Sequence, residues 1–158
     1  MSGFDAFTAL LDYPVYVVTA AGPEPAGCLV GFAGQCSIVP VRFTVWLSKV
    51  NRTHAVALGA EVLGVHLLSA GHGLAELFGG RTGDDTDKFA GTAWHRGPYG
   101  VPLLDDAPAR FVGGVLARFD GGDHTGFLLE PLHVQVPSPG APVLSYRDVA
   151  DIDPGHPA

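Results

Sequence analysis

The sequence predicts a mainly β protein, a β-barrel decorated with short helices. Glycine and proline supply 22 and 13 of the 158 residues, and such frequent turn formers are typical of many short strands rather than long helices. Several short runs are rich in β-branched and aromatic residues, which favour strands. Hydrophobic residues make up 47% of the chain and charged residues 16%, so the chain can bury a core as one domain spanning residues 1–158.

In the first half of the chain, predicted strands alternate with short helices. A helix is expected at residues 3–11, and Tyr13-Pro14 ends it because proline does not continue a helix. Gly31 and Gly34 lie inside the second predicted strand, where glycine marks a bulge or the close approach of another group. The predicted strands are residues 15–20, 27–38, 42–48 and 62–68, and the further helices are residues 51–59 and 71–78.

The second half consists mainly of strands. Residues 79–87 form the most polar loop of the chain. Strands are predicted at residues 109–119 and 125–136, separated by a turn at Asp120-Gly121-Gly122. The tail from Asp148 is polar and rich in proline, so we expect it to be disordered.

Charge and apolar patterning argue against several classes of partner. The formal net charge is −7, which repels a phosphate backbone, so we expect no nucleic-acid partner. No apolar run reaches the ~20 residues needed to cross a bilayer, and no basic cluster suited to anionic lipids is present, so we expect no membrane association. The first eleven residues lack the basic start of a secretion signal, which favours a cytoplasmic location.

The two cysteines, Cys28 and Cys36, are expected to be reduced and buried. Both lie in one predicted strand, and a disulfide within one extended segment would require the chain to fold back. No CxxC motif and no nearby histidine completes a set of metal ligands, so no metal site is expected.

The segment Ser48-Lys49-Val50-Asn51-Arg52-Thr53-His54 leads from a predicted strand directly into a helix. Asn51 is a favourable N-cap residue. The N–H groups of a helix start bind phosphate, and Lys49, Arg52 and the Thr53 hydroxyl could complete such a site. The alternative is an ordinary capped helix with two surface cations.

The segment Gly122-Asp123-His124-Thr125 also allows two interpretations. It can be a hairpin turn in which Asp123 bonds the backbone. Alternatively, His124 stands at the mouth of the barrel as a proton donor or substrate contact. Five further histidines show no metal-ligand spacing and are expected to be structural or exposed: His66, His72, His95, His133 and His156.

The segment Gly27-Cys28-Leu29-Val30-Gly31-Phe32 is either a core strand with small residues or a backbone edge that lies against a flat ligand ring. The chain contains no GxGxxG fingerprint, Walker loop, GxSxG elbow or HExxH motif. Their absence argues against the common nucleotide-binding and hydrolase classes.

Taken in order, these motifs resemble the flavin reductase-like family of FMN-binding split barrels, and the resemblance covers most of the chain. It implies a split β-barrel with two or three short helices. The matching segments are residues 13–20 for the opening strand, 27–37 for the flavin strand, 48–53 for the phosphate segment, 77–94 for a Phe…Arg-Phe…Trp passage, 122–124 for a Gly-Asp-His turn and 142–146 for the closing strand.

The resemblance implies a homodimer that holds FMN, or FAD, near the subunit interface and uses NADH or NADPH as co-substrate. His124 would be the catalytic residue, beside the flavin ring where the nicotinamide stacks; the redox chemistry itself belongs to the flavin. The implied partner is a monooxygenase supplied with reduced flavin. The implied cofactor-binding residues are Val30, Gly31, Phe32, Gln35, Cys36, Ser37, Ser48, Lys49, Asn51, Thr53, Lys88 and Phe89.

The chain departs from the family pattern at several positions. Leu29 and Gly31 replace hydroxyl residues of the flavin strand, so backbone groups must carry more of the flavin binding. Asn51 replaces a serine, and it can still cap the helix. Pro131 follows the Gly-Asp-His strand and removes a backbone donor, which predicts an edge or a bulge there.

Three functions remain open at this stage. The first is an NAD(P)H-dependent flavin reductase. The second is a flavin-binding protein without nicotinamide-dependent activity, such as a flavin carrier, which the lost hydroxyls at Leu29 and Gly31 motivate. The third is a relative that binds haem or a deazaflavin in the same groove.

Overall fold

The computed structural model describes residues 2–71, 73–80 and 87–152. Most of the polar loop expected at residues 79–87, together with His72, His156 and the tail from residue 153, lies outside the described residues. The strands are Tyr16–Ala20 (β1), Ala26–Val30 (β2), Ala33–Ile38 (β3), Val41–Ser48 (β4), Val62–Leu67 (β5), Trp94–Arg96 (β6), Pro102–Leu104 (β7), Ala109–Asp120 (β8) and His124–Gln135 (β9). The α-helices are Gly3–Thr8 (α1), Arg52–Leu58 (α2), Gly73–Gly79 (α3) and Tyr146–Val149 (α4).

Seven strands form one antiparallel sheet in the order β2-β1-β5-β8-β9-β4-β3. Its two edge strands, β2 and β3, follow each other in the chain and are joined only by Gly31 and Phe32. The sheet therefore has to curl until its edges meet at this link, where the Trp46 N–H donates to the Phe32 carbonyl at 2.9 Å. The mainly β, barrel-like fold that the sequence predicts is confirmed.

The alternation of side chains along the strands divides the core between the two faces of the sheet. Val18 of β1 packs on one face with Leu63, Val45 and other buried side chains. Val17, its neighbour in the chain, packs on the opposite face with Phe78 of α3 and Val149 of α4. Helices α3 and α4 thus cover the outer face of the sheet, whereas Ala57 of α2 packs with the Val18 cluster on the other face. Among the described residues, no helix has the length and apolar character needed to span a membrane.

Pro131 lies where the sequence places an irregularity. The register between β8 and β9 shifts where Val112 pairs with His133 and Gly113 pairs with Pro131. Strand β4 pairs with β9 only as far as Leu129. The missing proline donor therefore falls at a bulge, beyond the last residue that pairs with β4.

Several local predictions are corrected. Residues 27–38 form two strands rather than one, because the chain passes from one sheet edge to the other at Gly31-Phe32. Cys36 is exposed on the edge strand β3, whereas Cys28 is buried as expected.

The C-terminal part of the chain also differs from expectation. Residues 142–146 form only isolated bridges, Ser69 with Val143 and Pro14 with Ser145, and α4 follows. This makes four short α-helices in the described part of the chain rather than two or three. Val149 is buried in the core of the outer face, so the described tail as far as residue 149 is held by packing.

His66 is buried on β5 between two backbone groups. Its Nδ1 lies 2.9 Å from the Val17 carbonyl, and its Nε2 accepts from the Leu104 N–H at 3.1 Å. This arrangement requires the neutral ring with the proton on Nδ1. Burial accordingly lowers the pKa of His66 from 6.5 to about 4.

We expect this histidine to make the protein less stable in mild acid. The unfolded chain binds this proton at a higher pH than the folded chain does. The contribution of the neutral His66 to the free energy of unfolding is therefore complete above pH 6.5 and falls as the pH drops toward 4. The loss amounts to about 3 kcal/mol. Urea unfolding between pH 7 and pH 4 should show a weaker pH dependence in His66→Gln than in the wild type, while His133→Gln, at an exposed site, keeps the wild-type dependence.

A direct titration checks the same point if His66→Gln does not fold. The His66 ring signals in NMR spectra of the wild type should not titrate between pH 7 and pH 5. Titration of His66 near pH 6.5 would contradict the account.

Candidate functional site

A cavity of about 380 Å³ lies beside the link between the two sheet edges. One wall is the end of β2 and the link residue Gly31; opposite stand Ser48, Asn51 and His124. The C-terminal segment supplies the remaining wall through Tyr146 and the residues after it. The complete lining is Tyr13, Val15, Cys28, Leu29, Val30, Gly31, Ser48, Asn51, Phe78, Gly79, His124, Tyr146, Val149, Ala150 and Ile152.

Five of the residues that the sequence assigns to the site line this cavity: Val30, Gly31, Ser48, Asn51 and His124. They come from three separate parts of the chain. The register explains the meeting, because Ser48 at the end of β4 pairs with His124 at the start of β9, and β2 ends at the neighbouring corner.

The turn from β4 into α2 has the geometry that the sequence predicts. Asn51 has extended backbone angles, and its side-chain oxygen accepts from the Thr53 N–H at 2.9 Å, as an N-cap does. Lys49 Nζ lies 2.7 Å from a carboxylate oxygen of Asp120, and both side chains are substantially exposed. Thr53 is buried, and its side chain contacts the Cys28 thiol. The segment therefore presents Lys49 and Asn51 toward the surface, whereas Ser48 and Thr53 are buried.

The β8–β9 turn fixes His124. Asp123 accepts from His124 Nδ1 at 2.7 Å, and this hydrogen bond lowers the pKa of the Asp123 carboxyl. The Asp123 carbonyl in turn accepts from the Lys49 N–H at 2.8 Å, which ties the turn to the end of β4. The His124 ring lies 5.1 Å from the Phe32 ring, centre to centre. The Asp123 carboxylate does not line the cavity, and it fixes the orientation of the His124 ring through Nδ1.

Phe32 and His124 also border a second, more open cavity of about 330 Å³. Trp46 lines this cavity. Its indole ring packs so closely against the backbone of β9 that a Cβ atom at Gly126 would come within 2.7 Å of it. The His124 imidazole therefore lines both cavities, whereas the predicted site residue Phe32 lines only the second one.

The edge strand β3 carries three further predicted site residues, Gln35, Cys36 and Ser37. None lines the 380 Å³ cavity. Gln35 donates to the Ser37 carbonyl at 3.1 Å across a bulge in β3. Their place at a sheet edge leaves them at the surface of the single chain.

Lys88 and Phe89 lie behind β2 rather than in the cavity. Lys88 is only 4% exposed, and its Nζ donates to the carbonyls of Gly27 at 3.1 Å and Phe78 at 3.2 Å. Burial lowers the pKa of this ammonium. Phe89 packs against Phe78 and Trp94, with ring centres 5.3 and 5.1 Å away. Both residues hold β2 in place from its outer side.

Sequence reasoning missed the aromatic pair Tyr13 and Tyr146. Their rings stack 5.0 Å apart and both line the cavity. The Tyr146 N–H donates to the Tyr13 carbonyl at 2.8 Å, which joins the two ends of the described chain. Each tyrosine lies in a segment assigned to the fold, and nothing in the local sequence indicates that the two meet.

Cys28 lines the cavity without being reactive. Burial raises the pKa of its thiol to about 11, so the sulfur stays protonated near neutral pH. A thiol in that state is a poor nucleophile, and the cavity therefore suits non-covalent binding of a ligand.

The chain is similar in sequence and fold to known proteins over most of its length. The family model "Flavin reductase like domain" matches residues 8–151. The FMN reductase (NADH) RutF of Variovorax paradoxus is 34% identical over 133 residues, which are 81% of this chain and 72% of that protein. The ferric-chelate reductase (NAD(P)H) of Archaeoglobus fulgidus is 30% identical over 142 residues, which are 87% of this chain and 83% of that protein.

The solved structure of the NADH:FAD oxidoreductase SgcE6 of Streptomyces globisporus is similar to this fold, with a TM-score of 0.81 at 25% sequence identity. The match covers 90% of this chain and 85% of that chain. The order of the strands, the cavity at the joined sheet edges and these matches lead to one conclusion: the chain belongs to the flavin reductase-like domain family.

Proposed function

We propose that this protein is an NAD(P)H-dependent flavin reductase that works with FMN. The observation that carries the proposal is the cavity at the joined sheet edges, in a chain 34% identical to an NADH-dependent FMN reductase. FAD is compatible with the same groove, since the similar structure from Streptomyces globisporus is an NADH:FAD oxidoreductase. A flavin carrier without nicotinamide chemistry is not favoured, because both curated relatives named above are reductases of NADH or NAD(P)H.

The residues present fit a flavin. The cavity volume of about 380 Å³ lies in the range of ~300–1,000 Å³ typical of small-molecule sites. Most of the lining is apolar, as a flat ring requires, and Ser48, Asn51 and His124 add a hydroxyl, an amide and an imidazole. No carboxylate occurs among the described residues of the lining, which suits an anionic phosphate. Lys49 stands next to Ser48 and supplies a cation.

When bound, a flavin would supply the redox chemistry, which is hydride transfer from the nicotinamide. The role of this chain is to bind the flavin, to orient it and to exclude water from the site. Ser48, Lys49 and Asn51, backed by Thr53, would hold the phosphate end of the flavin at the start of α2. The backbone of Val30 to Phe32 would contact its ring.

We place His124 at the ring edge, with its Nε2 directed away from the Asp123 carboxylate that holds Nδ1. Phe32, 5.1 Å from the imidazole, limits how far the ring of His124 can turn. An imidazole held in this way can position the nicotinamide or donate a proton.

The partner proposed for the reduced flavin is a monooxygenase. A relative from Rhizobium meliloti, 27% identical over 71% of this chain and 50% of its own length, is the reductase subunit of stachydrine N-demethylase. We also propose a cytoplasmic location, which agrees with the two free cysteines, since disulfides are rare in that compartment.

We propose that the protein is a homodimer. The β3–β4 hairpin exposes Ile38 and Val39, the latter to 91%, and Val134 and Val136 are exposed near the end of β9. Exposed apolar patches of this kind mark interfaces. Closure by a second copy would also give Ser37 and the exposed Gln35 and Cys36 a role at a shared site.

The first test is flavin-dependent oxidation of NADH. We expect His124→Ala to lower the turnover number at least tenfold, while the dissociation constant for FMN changes less than about threefold. The matched control is His133→Ala, which removes an exposed imidazole from the same strand and should leave both quantities unchanged. Wild-type turnover in His124→Ala would exclude a catalytic role for this ring.

The two lysines of the predicted site should behave differently. Lys49→Met removes a cation beside the phosphate segment, so FMN affinity should fall about tenfold, whereas stability changes little because the Asp120 pair is exposed. Lys88→Met leaves two buried carbonyls without their donor and should cost about 2 kcal/mol of unfolding free energy. The measurements are FMN fluorescence titrations and urea unfolding of each variant.

The outcome for Lys88 also decides its assignment as a cofactor-binding residue. Folded Lys88→Met that binds FMN like the wild type assigns Lys88 to support of β2. A loss of FMN affinity in Lys88→Met as large as in Lys49→Met would instead place Lys88 in contact with the cofactor.

The dimer is tested by light scattering after gel filtration. The wild type should have twice the chain mass of 16.4 kDa. Val39→Lys should shift the protein toward the monomer, because a charge in an apolar interface is poorly solvated. Leu10→Lys, at another strongly exposed apolar position on the N-terminal segment, is the control. A monomeric wild type at micromolar concentration would refute the proposal.

A further inference from the structure

A second, chemically different cleft lies at the far end of the β8–β9 ribbon. It has a volume of about 180 Å³ and is bordered by the β6–β7 hairpin on one side and by the start of β8 and the end of β9 on the other. His133 lies nine positions along β9 from His124, or about 30 Å of extended strand. The cleft is therefore separate from the flavin cavity of the same chain.

The lining of this cleft is basic although the chain is acidic. Two arginines, Arg96 and Arg110, and two histidines, His95 and His133, face it together with the Gln135 amide. No carboxylate occurs among the described residues that line it. The net charge of the whole chain is −7, so a cleft with two guanidinium groups is a local exception that attracts anions.

Both guanidinium groups are oriented by neutral oxygen atoms. Arg110 donates from Nε to the Gln135 side chain at 2.9 Å and from a terminal nitrogen to the Leu104 carbonyl at 3.1 Å. Arg96 donates to the Gly100 carbonyl at 2.9 Å and lies over the Trp94 ring. Within residues 2–71, 73–80 and 87–152, neither arginine forms an ion pair. Their charges are thus fixed in place without being neutralised, and each group has five N–H donors.

The surrounding backbone explains why the arginines stay in this arrangement. Tyr99 and Gly100 both have positive φ, 59° and 76°, in the tight turn between β6 and β7, and this turn directs the Gly100 carbonyl at Arg96. Arg110 and Gln135 are register partners across β8 and β9. His95 is held by Asp105, whose carboxylate lies 2.5 Å from Nδ1 but does not line the cleft.

We propose that this cleft binds a small polyanion through phosphate or carboxylate groups, with Arg96 and Arg110 as the main ligands. A guanidinium fork matches both anions in geometry and binds them through paired charge-assisted hydrogen bonds. The volume of about 180 Å³ is below the ~300 Å³ of pockets for larger molecules, so the ligand is a diphosphate or a di- or tricarboxylate rather than a nucleotide.

Calorimetric titration of the full chain tests the proposal, with pyrophosphate and citrate as probes at a fixed low ionic strength. We expect saturable binding of one anion per chain. Arg96→Gln and Arg110→Gln should each weaken binding about tenfold. The control is Arg42→Gln, which changes an arginine on β4 that also donates to a neutral carbonyl, and it should bind as the wild type does.

The choice of probe separates the two possible sources of the anion. Tighter binding of pyrophosphate identifies a phosphate ligand, and tighter binding of citrate identifies a carboxylate ligand. Absence of saturable binding of both probes by the wild type would overturn the proposal. So would an equal loss of affinity in Arg42→Gln, because the anion would then respond only to overall charge.

Arg96→Gln is the more decisive variant, since Arg110 also supports the backbone at Leu104. Its FMN-dependent NADH oxidation in the absence of added anion should equal that of the wild type. A large loss of this activity in Arg96→Gln would assign the cleft to the coenzyme and overturn its independence from the flavin site.

Discussion

The constraint on which the structure depends is the two-residue link between β2 and β3. These strands are the opposite edges of a seven-stranded sheet, and the link of Gly31 and Phe32 can span no more than about 10 Å between the end of β2 and the start of β3. The sheet must therefore curl and close at that corner, and the cavity forms beside it. The end of β4 and the start of β9 lie at the same corner, where Ser48 and His124 are register partners. The corner at which the sheet closes is therefore also the place where the cavity and its lining residues lie.

The polar groups around the corner are connected by hydrogen bonds. The Asp123 carbonyl binds the backbone of Lys49, the Asp123 carboxylate binds the His124 ring, and Asp120 binds the Lys49 side chain. On the other side of β2, the buried ammonium of Lys88 donates to the carbonyls of Gly27 in β2 and Phe78 in α3. The proposed flavin site is thus positioned by backbone groups and by contacts from outside the cavity.

Local sequence was sufficient for features whose cause is local. The cap at Asn51, the turn before His124 and the bulge at Pro131 each follow from the chemistry of a few neighbouring residues, and the structure has all three. The break at Gly31-Phe32 was not predicted, because Gly31 within an apolar run indicated a bulge or a close approach, and only the sheet topology demands that the strand end there. The stack of Tyr13 on Tyr146 and the burial of Lys88 depend on contacts between distant segments, which no local pattern encodes. The site residues on β3 stay predictions, since they lie outside the cavity of the single chain.

The most direct test of the account is an anaerobic titration in two steps. FMN is first added to dialysed protein while flavin fluorescence is followed, and NADH or NADPH is then added without oxygen. The account predicts saturable quenching, with one FMN per chain, followed by bleaching of the flavin absorption band. Quenching without bleaching would contradict the reductase function while leaving a flavin site at the corner. Absence of quenching would contradict the central claim that the joined edges of this sheet form a flavin site.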